Sequence, residues 1–127
     1  MSAPPVIAIA RVYESEIPHS GVRLLVDRLW PRGISKASLH LEDWIPEVAP
    51  STALRKWFGH DPQKWHEFQL RYRAELREAG EPVDRCLAWV RKGPVLLLYG
   101  AKDNAHNNAI VLREYLLQHA DKKSLSS

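Results

Sequence analysis

Apolar residues fall in three short runs that predict β-strands. Residues 6–13 (VIAIARVY) and 22–29 (VRLLVDRL) are rich in β-branched and aliphatic side chains, and residues 95–99 (VLLLY) form a run too short for a helix. The centres of the last two runs are continuously apolar, which is typical of strands covered on both faces. The pattern therefore predicts a small, mostly parallel central sheet.

Capping residues and helical spacing predict four helices around this sheet. Asp61 followed by Pro62 is typical of a helix start, because aspartate caps free backbone N–H groups and proline is favoured at the first helical position. In the helix that follows, apolar residues recur every three or four positions and form one stripe. Residues 36–50 fit either a short strand or a helical turn. The predicted helices cover residues 51–58, 62–79, 82–92 and 104–119.

Together these elements predict an α/β fold with a single, three-layer-like domain over residues 1–120 and a flexible polar tail at 121–127. Cys86 is the only cysteine, so no disulfide framework or cysteine-based zinc site is expected. The first residues lack the features of a signal peptide, and no apolar run approaches the roughly 20 residues of a membrane span. We therefore expect a cytoplasmic protein without membrane contact, as a monomer or a small homo-oligomer.

The net charge is too small to indicate nucleic-acid binding. The chain has 18 basic and 15 acidic side chains, giving a formal charge of +3, whereas binding driven by phosphate contacts needs several clustered cations. The positive excess is local, since residues 22–36 contain four basic side chains and the single acid Asp27. Nucleic acid is therefore an unlikely partner, and the local cluster instead favours a small anion.

Two of the predicted strands are followed by polar loops. Residues 27–33 (DRLWPRG) come after the second strand, and residues 100–109 (GAKDNAHNNA) come after the last. In open α/β sheets, ligands bind outside the carboxyl ends of parallel strands. If the two strands are neighbours, the loops share one cleft. The candidate site residues are Asp27, Arg28, Trp30, Arg32, Lys102, Asp103, His106 and Asn107, with Arg55 from the short helix predicted at residues 51–58.

The chemistry of these side chains points to an anionic ligand. Arg28, Arg32 and Lys102 can form charge-assisted hydrogen bonds to a phosphate or carboxylate. Asp103 or Asn104 is expected to cap the final helix, whose first N–H groups then favour an anion. For catalysis, Asp27 or Asp103 would be the base, and His106 would relay a proton. Arg55, Asn107 and Trp30 are further candidates for ligand contact.

Each candidate also has a simpler structural interpretation. Asp27 can form an ion pair with Arg28 or Arg32 that only stabilises the turn, and Trp30 can belong to the core. Asp103 can be a helix cap alone. A third interpretation takes Asp27, Asp103 and His106 as oxygen and imidazole ligands for a divalent metal, the only cofactor that the sequence points to. No nucleotide-cofactor motif is present.

Long segments of the chain resemble the YeaO-like branch of the family called domain of unknown function 488. They include GVRLLVDRLWPRGISK, APSTALRKWFGHDPQKWHEFQLRYRAEL and LLYGAKDNAHNNAIVL, and the resemblance spans residues 6–118. The branch has no established catalytic residues, so the resemblance implies that two loops form one site without supplying a reaction. Longer relatives have a cysteine in the late segment. This chain has none there, and thiol chemistry is not implied.

Three functions follow from these observations. The first is an enzyme or enzyme-like pocket that binds a phosphorylated or nucleotide-like small ligand between residues 27–33 and 102–108. The alternative is a non-catalytic module that senses a metal or an anion. The third, a nucleic-acid-binding protein, fits the small net charge least well. The sequence leaves open whether the protein is an enzyme.

Overall fold

A parallel β-sheet forms the centre of the computed structural model. The structure describes residues 4–14, 17 and 21–126, with side chains through residue 120, and within this part of the chain the sheet has four strands. Their spatial order is β1-β4-β2-β3, and every pair is parallel. The strands are β1 (Ile7–Arg11), β2 (Val22–Leu25), β3 (Asp43–Trp44) and β4 (Val95–Tyr99).

Five α-helices are found in the same described part of the chain. Two short 3-10 turns, at Pro46–Val48 and Pro62–Lys64, precede α2 and α3. None of these helices is both long enough and apolar enough to cross a membrane. The helices are α1 (Lys36–Leu39), α2 (Thr52–Phe58), α3 (Trp65–Ala79), α4 (Glu81–Lys92) and α5 (Asn108–Ser126).

The predicted α/β class is confirmed, and several predicted boundaries change. The first two strands are shorter than 6–13 and 22–29, because the chain leaves the sheet at Val26, whose N–H still donates to the carbonyl of Leu98. The ambiguous residues 36–50 contain both a helical turn and a strand. The strand, β3, has only two residues, which is too short to produce a periodic pattern.

The final helix begins four residues later than predicted. Asn107 caps it, because its Oδ1 accepts the N–H of Ile110 at 3.1 Å. Asp103 instead accepts the N–H groups of Ala105 and His106, which closes a turn before the helix. The prediction that Asp103 or Asn104 caps this helix is therefore wrong. At its other end α5 continues through residue 126, into the segment expected to be a polar tail.

The sheet is covered unequally on its two faces. Apolar side chains of α2, α3, α4 and α5 form one large cluster against Leu24 and Leu97, whereas the opposite face carries a smaller cluster around Leu25, Leu96 and Leu98. That smaller cluster is covered by α1 and by connecting segments. Strand β4 lies between β1 and β2 and is buried along its full length, as its continuous apolar run predicted.

Shortening a central side chain tests this packing. Leu97 is 0% exposed in β4, so Leu97→Ala should lower the free energy of unfolding by about 2–5 kcal/mol through lost contacts and the cavity left behind. The measurement is urea unfolding followed by circular dichroism. Leu70→Ala is the matched control, because Leu70 is 51% exposed and should change stability by less than about 0.5 kcal/mol. Similar losses for the two variants would contradict the described core.

Candidate functional site

A cleft of about 560 Å³ lies at the carboxyl ends of β2 and β4. The two polar loops border it side by side, as the parallel arrangement predicted. Residues 27–31 form one wall, and residues 100–101 and 106–108 form another. The segment 49–60, which includes α2, and Phe68 of α3 complete the lining. The volume is in the range of small-molecule sites.

Asp27 connects the ends of the two central strands. Its Oδ2 accepts the backbone N–H of Gly100 at 2.8 Å, and its Oδ1 accepts Nδ2 of Asn108 at 3.3 Å. Burial raises the pKa of Asp27 above its usual range, although these two donors and the positive charge of Arg55 act in the opposite direction. The Asp27 carboxyl is thus held in place by groups that stabilise its charge, in surroundings that oppose that charge.

Arg28 does not pair with Asp27. Its guanidinium donates to two backbone carbonyls, from Nε to Pro50 at 3.2 Å and from Nη2 to Ala49 at 3.0 Å. Within the part of the chain that the structure describes, neither Arg28 nor Arg32 forms an ion pair with Asp27. The alternative of a turn-stabilising ion pair is therefore not found. Arg28 instead ties the first loop to the segment before α2.

Trp30 lies both in the apolar core and at the cleft. It packs against the smaller apolar cluster, makes an edge-to-face contact with Trp44 at 5.5 Å between ring centroids, and donates from Nε1 to the carbonyl of Ile34. It also lines the cleft. The Trp30 ring is thus a fixed wall, because its indole N–H and one edge are already engaged.

Arg55 and Lys56 bring positive charge to the cleft from α2. Both side chains are exposed, and both residues line the cleft. Within residues 4–14, 17 and 21–120, neither side chain has a hydrogen-bond or ion-pair partner. Arg55, a candidate for ligand contact from the sequence, is among the lining residues. Lys56 was not predicted, because the helical pattern of α2 does not reveal which side faces the sheet edge.

Asp103 holds the imidazole of His106. The Nδ1 atom of His106 lies 2.9 Å from Oδ2 of Asp103, and the His106 ring meets Trp65 edge to face at 5.1 Å. Because an ionised carboxylate can only accept, Nδ1 carries the hydrogen and Nε2 is left available. The Ala105 N–H and the His106 side chain hold the pKa of Asp103 below its usual range. His106 lines the cleft, whereas Asp103 is not part of the lining.

Two asparagines fix the start of α5 at the cleft. Asn107 is 1% exposed; its Nδ2 donates to the carbonyl of Asp103 while its Oδ1 caps the helix. Asn108 reaches across to β2, where Nδ2 donates to the carbonyl of Val26 at 3.1 Å. Both polar atoms of the Asn107 side chain therefore bind backbone groups. Asn107, a candidate for ligand contact, also lies in the lining.

Arg32 and Lys102 lie outside the cleft lining. After the buried Pro31 the chain turns at Gly33, where φ is +75°, and Arg32 is exposed with its carbonyl accepting the Tyr13 hydroxyl at 2.9 Å. Lys102 is exposed in the second loop. Both were predicted to hold an anion from their position in the sequence alone, and the turns of the two loops direct them elsewhere.

Several lining residues were not predicted from the sequence. His60 follows Gly59 at the end of α2 and has a left-handed backbone, with φ of +57°. Gly59 follows the helix predicted at residues 51–58, and nothing in the sequence connected His60 to the distant loops. The other unpredicted lining residues include Thr52, Lys56, Phe58, Phe68 and Asn108.

The proposed metal set is not brought together. Among the residues that the structure describes, no group of three His, Cys, Asp or Glu side chains is placed to hold a metal ion. Asp103 binds His106, while Asp27 binds Gly100 and Asn108. The metal-binding version of the site therefore has no geometric support in this region.

The fold and cleft define a small parallel α/β domain with a ligand-sized site at the carboxyl edge of its sheet. The chain belongs to the DUF488 family, since the family described as the inactive DUF488-N3 subclade matches residues 6–127. The resemblance to the YeaO-like branch is thereby confirmed.

The similarity to curated relatives covers most of the chain. It is 42% identical over 110 residues to the uncharacterized protein YeaO of Escherichia coli (strain K12), covering 87% of this chain and 96% of the relative. It is 38% identical over 114 residues to the uncharacterized proteins Rv3073c of Mycobacterium tuberculosis and Mb3100c of Mycobacterium bovis, covering 87% of this chain and 92% of each. No solved structure is significantly similar.

The Asp103–His106 contact predicts a fixed histidine tautomer. In the neutral ring of His106 the hydrogen should stay on Nδ1, and Asp103→Ala should shift the population toward the Nε2 form, which is the commoner one without a partner. Long-range ¹H–¹⁵N correlation spectra measure the two populations. His119, whose Nδ1 lies 2.9 Å from the carbonyl of Tyr115, is an internal control that should not change. An unaltered His106 pattern in the variant would show that Asp103 does not set the tautomer.

Proposed function

We propose that this protein is a non-catalytic binding module whose cleft holds a small anionic ligand, phosphorylated or nucleotide-like. The observation that carries the proposal is the pair of cationic side chains, Arg55 and Lys56, on the cleft wall without partners in the described part of the chain. Arg73 of α3, by contrast, is paired with Glu114 at 2.9 Å. Unpaired cations that border a cleft leave charge available for a ligand.

The charge balance of the lining supports an anion. Among the described lining residues, three basic side chains border the cleft, namely Arg28, Arg55 and Lys56, against the single carboxylate of Asp27. Burial further disfavours the charged form of that carboxylate. The start of α5 also faces the cleft, and the first N–H groups of a helix favour negative charge. The cleft is therefore an electropositive site on a chain of small net charge.

Aromatic rings provide the apolar part of the lining. Phe58 and Phe68 stack at 4.4 Å between centroids, and Trp30 stands in the opposite loop. Sites for small ligands typically combine such apolar walls with a few placed polar groups. This mixture favours a ligand that has a planar or apolar part beside its anionic group, such as a nucleotide, over a bare inorganic ion.

Binding without turnover fits the composition of the cleft. No cysteine or serine occurs among its described lining residues. Cys86 is buried in α4, and burial raises the pKa of its thiol to about 12, so the reactive thiolate is disfavoured. The matched family is also described as inactive.

One observation favours a catalytic alternative. The Asp103–His106 pair resembles the carboxylate-oriented imidazole of general-base sites, with Nε2 left available beside the cleft. Under this alternative, a bound nucleotide would be converted to product and His106→Gln would abolish the conversion while preserving binding. Chromatography of ligand recovered after long incubation separates the two functions, because the binding module returns it unchanged.

Charge-neutralising variants test the proposed anion site. Arg55→Gln and Lys56→Gln should each weaken binding of AMP or pyrophosphate by about tenfold, since each removes a charge-assisted hydrogen bond. Isothermal titration calorimetry at low salt is the measurement. Arg32→Gln and Lys102→Gln are the matched controls, because they remove the same charges from outside the lining. Equal weakening by all four variants would indicate only a general charge effect and would contradict the site, as would the absence of binding by the unaltered protein.

A further inference from the structure

The electropositive cleft contains one acidic side chain, and it occupies a fixed position. Asp27 is the only carboxylate among the described residues that line the cleft. We propose that Asp27 makes this cleft selective for oxyanions that carry their own hydrogen, such as hydrogen phosphate or a singly protonated phosphate monoester, over oxyanions that carry none. The inference rests on the proposed anion-binding function and specifies which anions the same site accepts.

The hydrogen bonds of Asp27 leave it able to accept from a ligand. Its two oxygens accept one hydrogen bond each, from Gly100 and from Asn108. An ionised carboxylate has about four acceptor positions, so acceptor capacity remains on a side chain that borders the cleft. Burial raises the pKa of Asp27, whereas the Gly100 and Asn108 donors act in the opposite direction and favour the ionised form. The ionised form is the one that accepts but cannot donate.

The Asp27 carboxylate is neither neutralised by contact nor free to move away. Arg28, its neighbour in sequence, donates to the carbonyls of Ala49 and Pro50 instead. Rotation of Asp27 out of the cleft would break the bond to Gly100, which spans 73 positions of the chain. A Cβ at Gly100 would lie 3.2 Å from Oδ2 of Asp27, a tight contact that would press on the carboxylate, so the glycine favours this close approach. The acceptor is thus built into the end of the sheet.

A fixed carboxylate discriminates between anions of the same shape. Sulfate at neutral pH has no hydrogen to donate, so its oxygens and the Asp27 carboxylate are both acceptors of like charge and repel each other. Phosphate at neutral pH retains at least one hydrogen, which it can donate to the carboxylate in a charge-assisted hydrogen bond. If only the charges of Arg55 and Lys56 mattered, sulfate would bind more tightly than phosphate, because sulfate carries a full double negative charge. The order of affinities therefore separates the effect of Asp27 from general attraction.

The experiment compares three anions by competition against a fluorescent nucleotide at pH 7 and constant ionic strength. The anions are inorganic phosphate, sulfate and dimethyl phosphate, the last being singly charged without an exchangeable hydrogen. We expect phosphate to bind about tenfold or more tightly than either of the others. In Asp27→Asn the amide can donate to sulfate, so the ratio between phosphate and sulfate should fall to about one.

A matched variant controls for the loss of a carboxylate. Asp61 accepts the N–H of Gln63 at the turn before α3 and is not part of the lining, so Asp61→Asn should leave the ratio unchanged. If Asp27→Asn does not fold, the order of the three anions in the unaltered protein still decides. If the unaltered protein binds phosphate and sulfate equally and Arg55→Gln weakens the binding of both, the role of Asp27 is overturned and the anion site is retained. No binding of any anion or nucleotide overturns both proposals.

Discussion

The hydrogen bond from the Gly100 N–H to the Asp27 carboxylate organises the end of the sheet. Backbone pairing between β2 and β4 ends where the N–H of Val26 donates to the carbonyl of Leu98. One residue later the side chain of Asp27, and not the backbone, forms the hydrogen bond that joins the two segments as they leave the sheet. A second link, from Nδ2 of Asn108 to the carbonyl of Val26, joins the same two segments. Both loops that border the cleft therefore start from segments held together at the edge of the sheet.

This connection places a charge where burial opposes it. Moving a carboxylate out of water is costly unless donors replace the lost hydration. Here a backbone amide, the Asn108 side chain and the field of Arg55 supply part of that replacement, and the pKa of Asp27 is still raised. An apolar residue in the same space would leave the Gly100 N–H without this acceptor. The carboxylate thus joins the ends of the two strands at a position that also borders the cleft.

The basic side chains differ in how their charge is balanced. Arg28 is occupied by backbone carbonyls, and Arg73 on α3 is paired with Glu114 on α5. Arg55 and Lys56 have no such partners among the described residues. An exposed ion pair contributes little stability, so leaving two cations unpaired costs the fold little. It does leave them available for an anion in a site that also has aromatic walls.

The sequence by itself determined most of the elements and which of their ends would be polar, whereas α1 and β3 lay in the ambiguous residues 36–50. Continuous apolar runs identified β2 and β4 as buried strands, and Asp61-Pro62 marked the approach to α3, because these signals depend on residues close together in the chain. Only the tertiary structure decided which side chains share the cleft. Turns at Pro31–Gly33 and before α5 directed Arg32 and Lys102 away, and the rotation of α2 brought Lys56 in. Such directions are set by packing between distant segments, which no local pattern records.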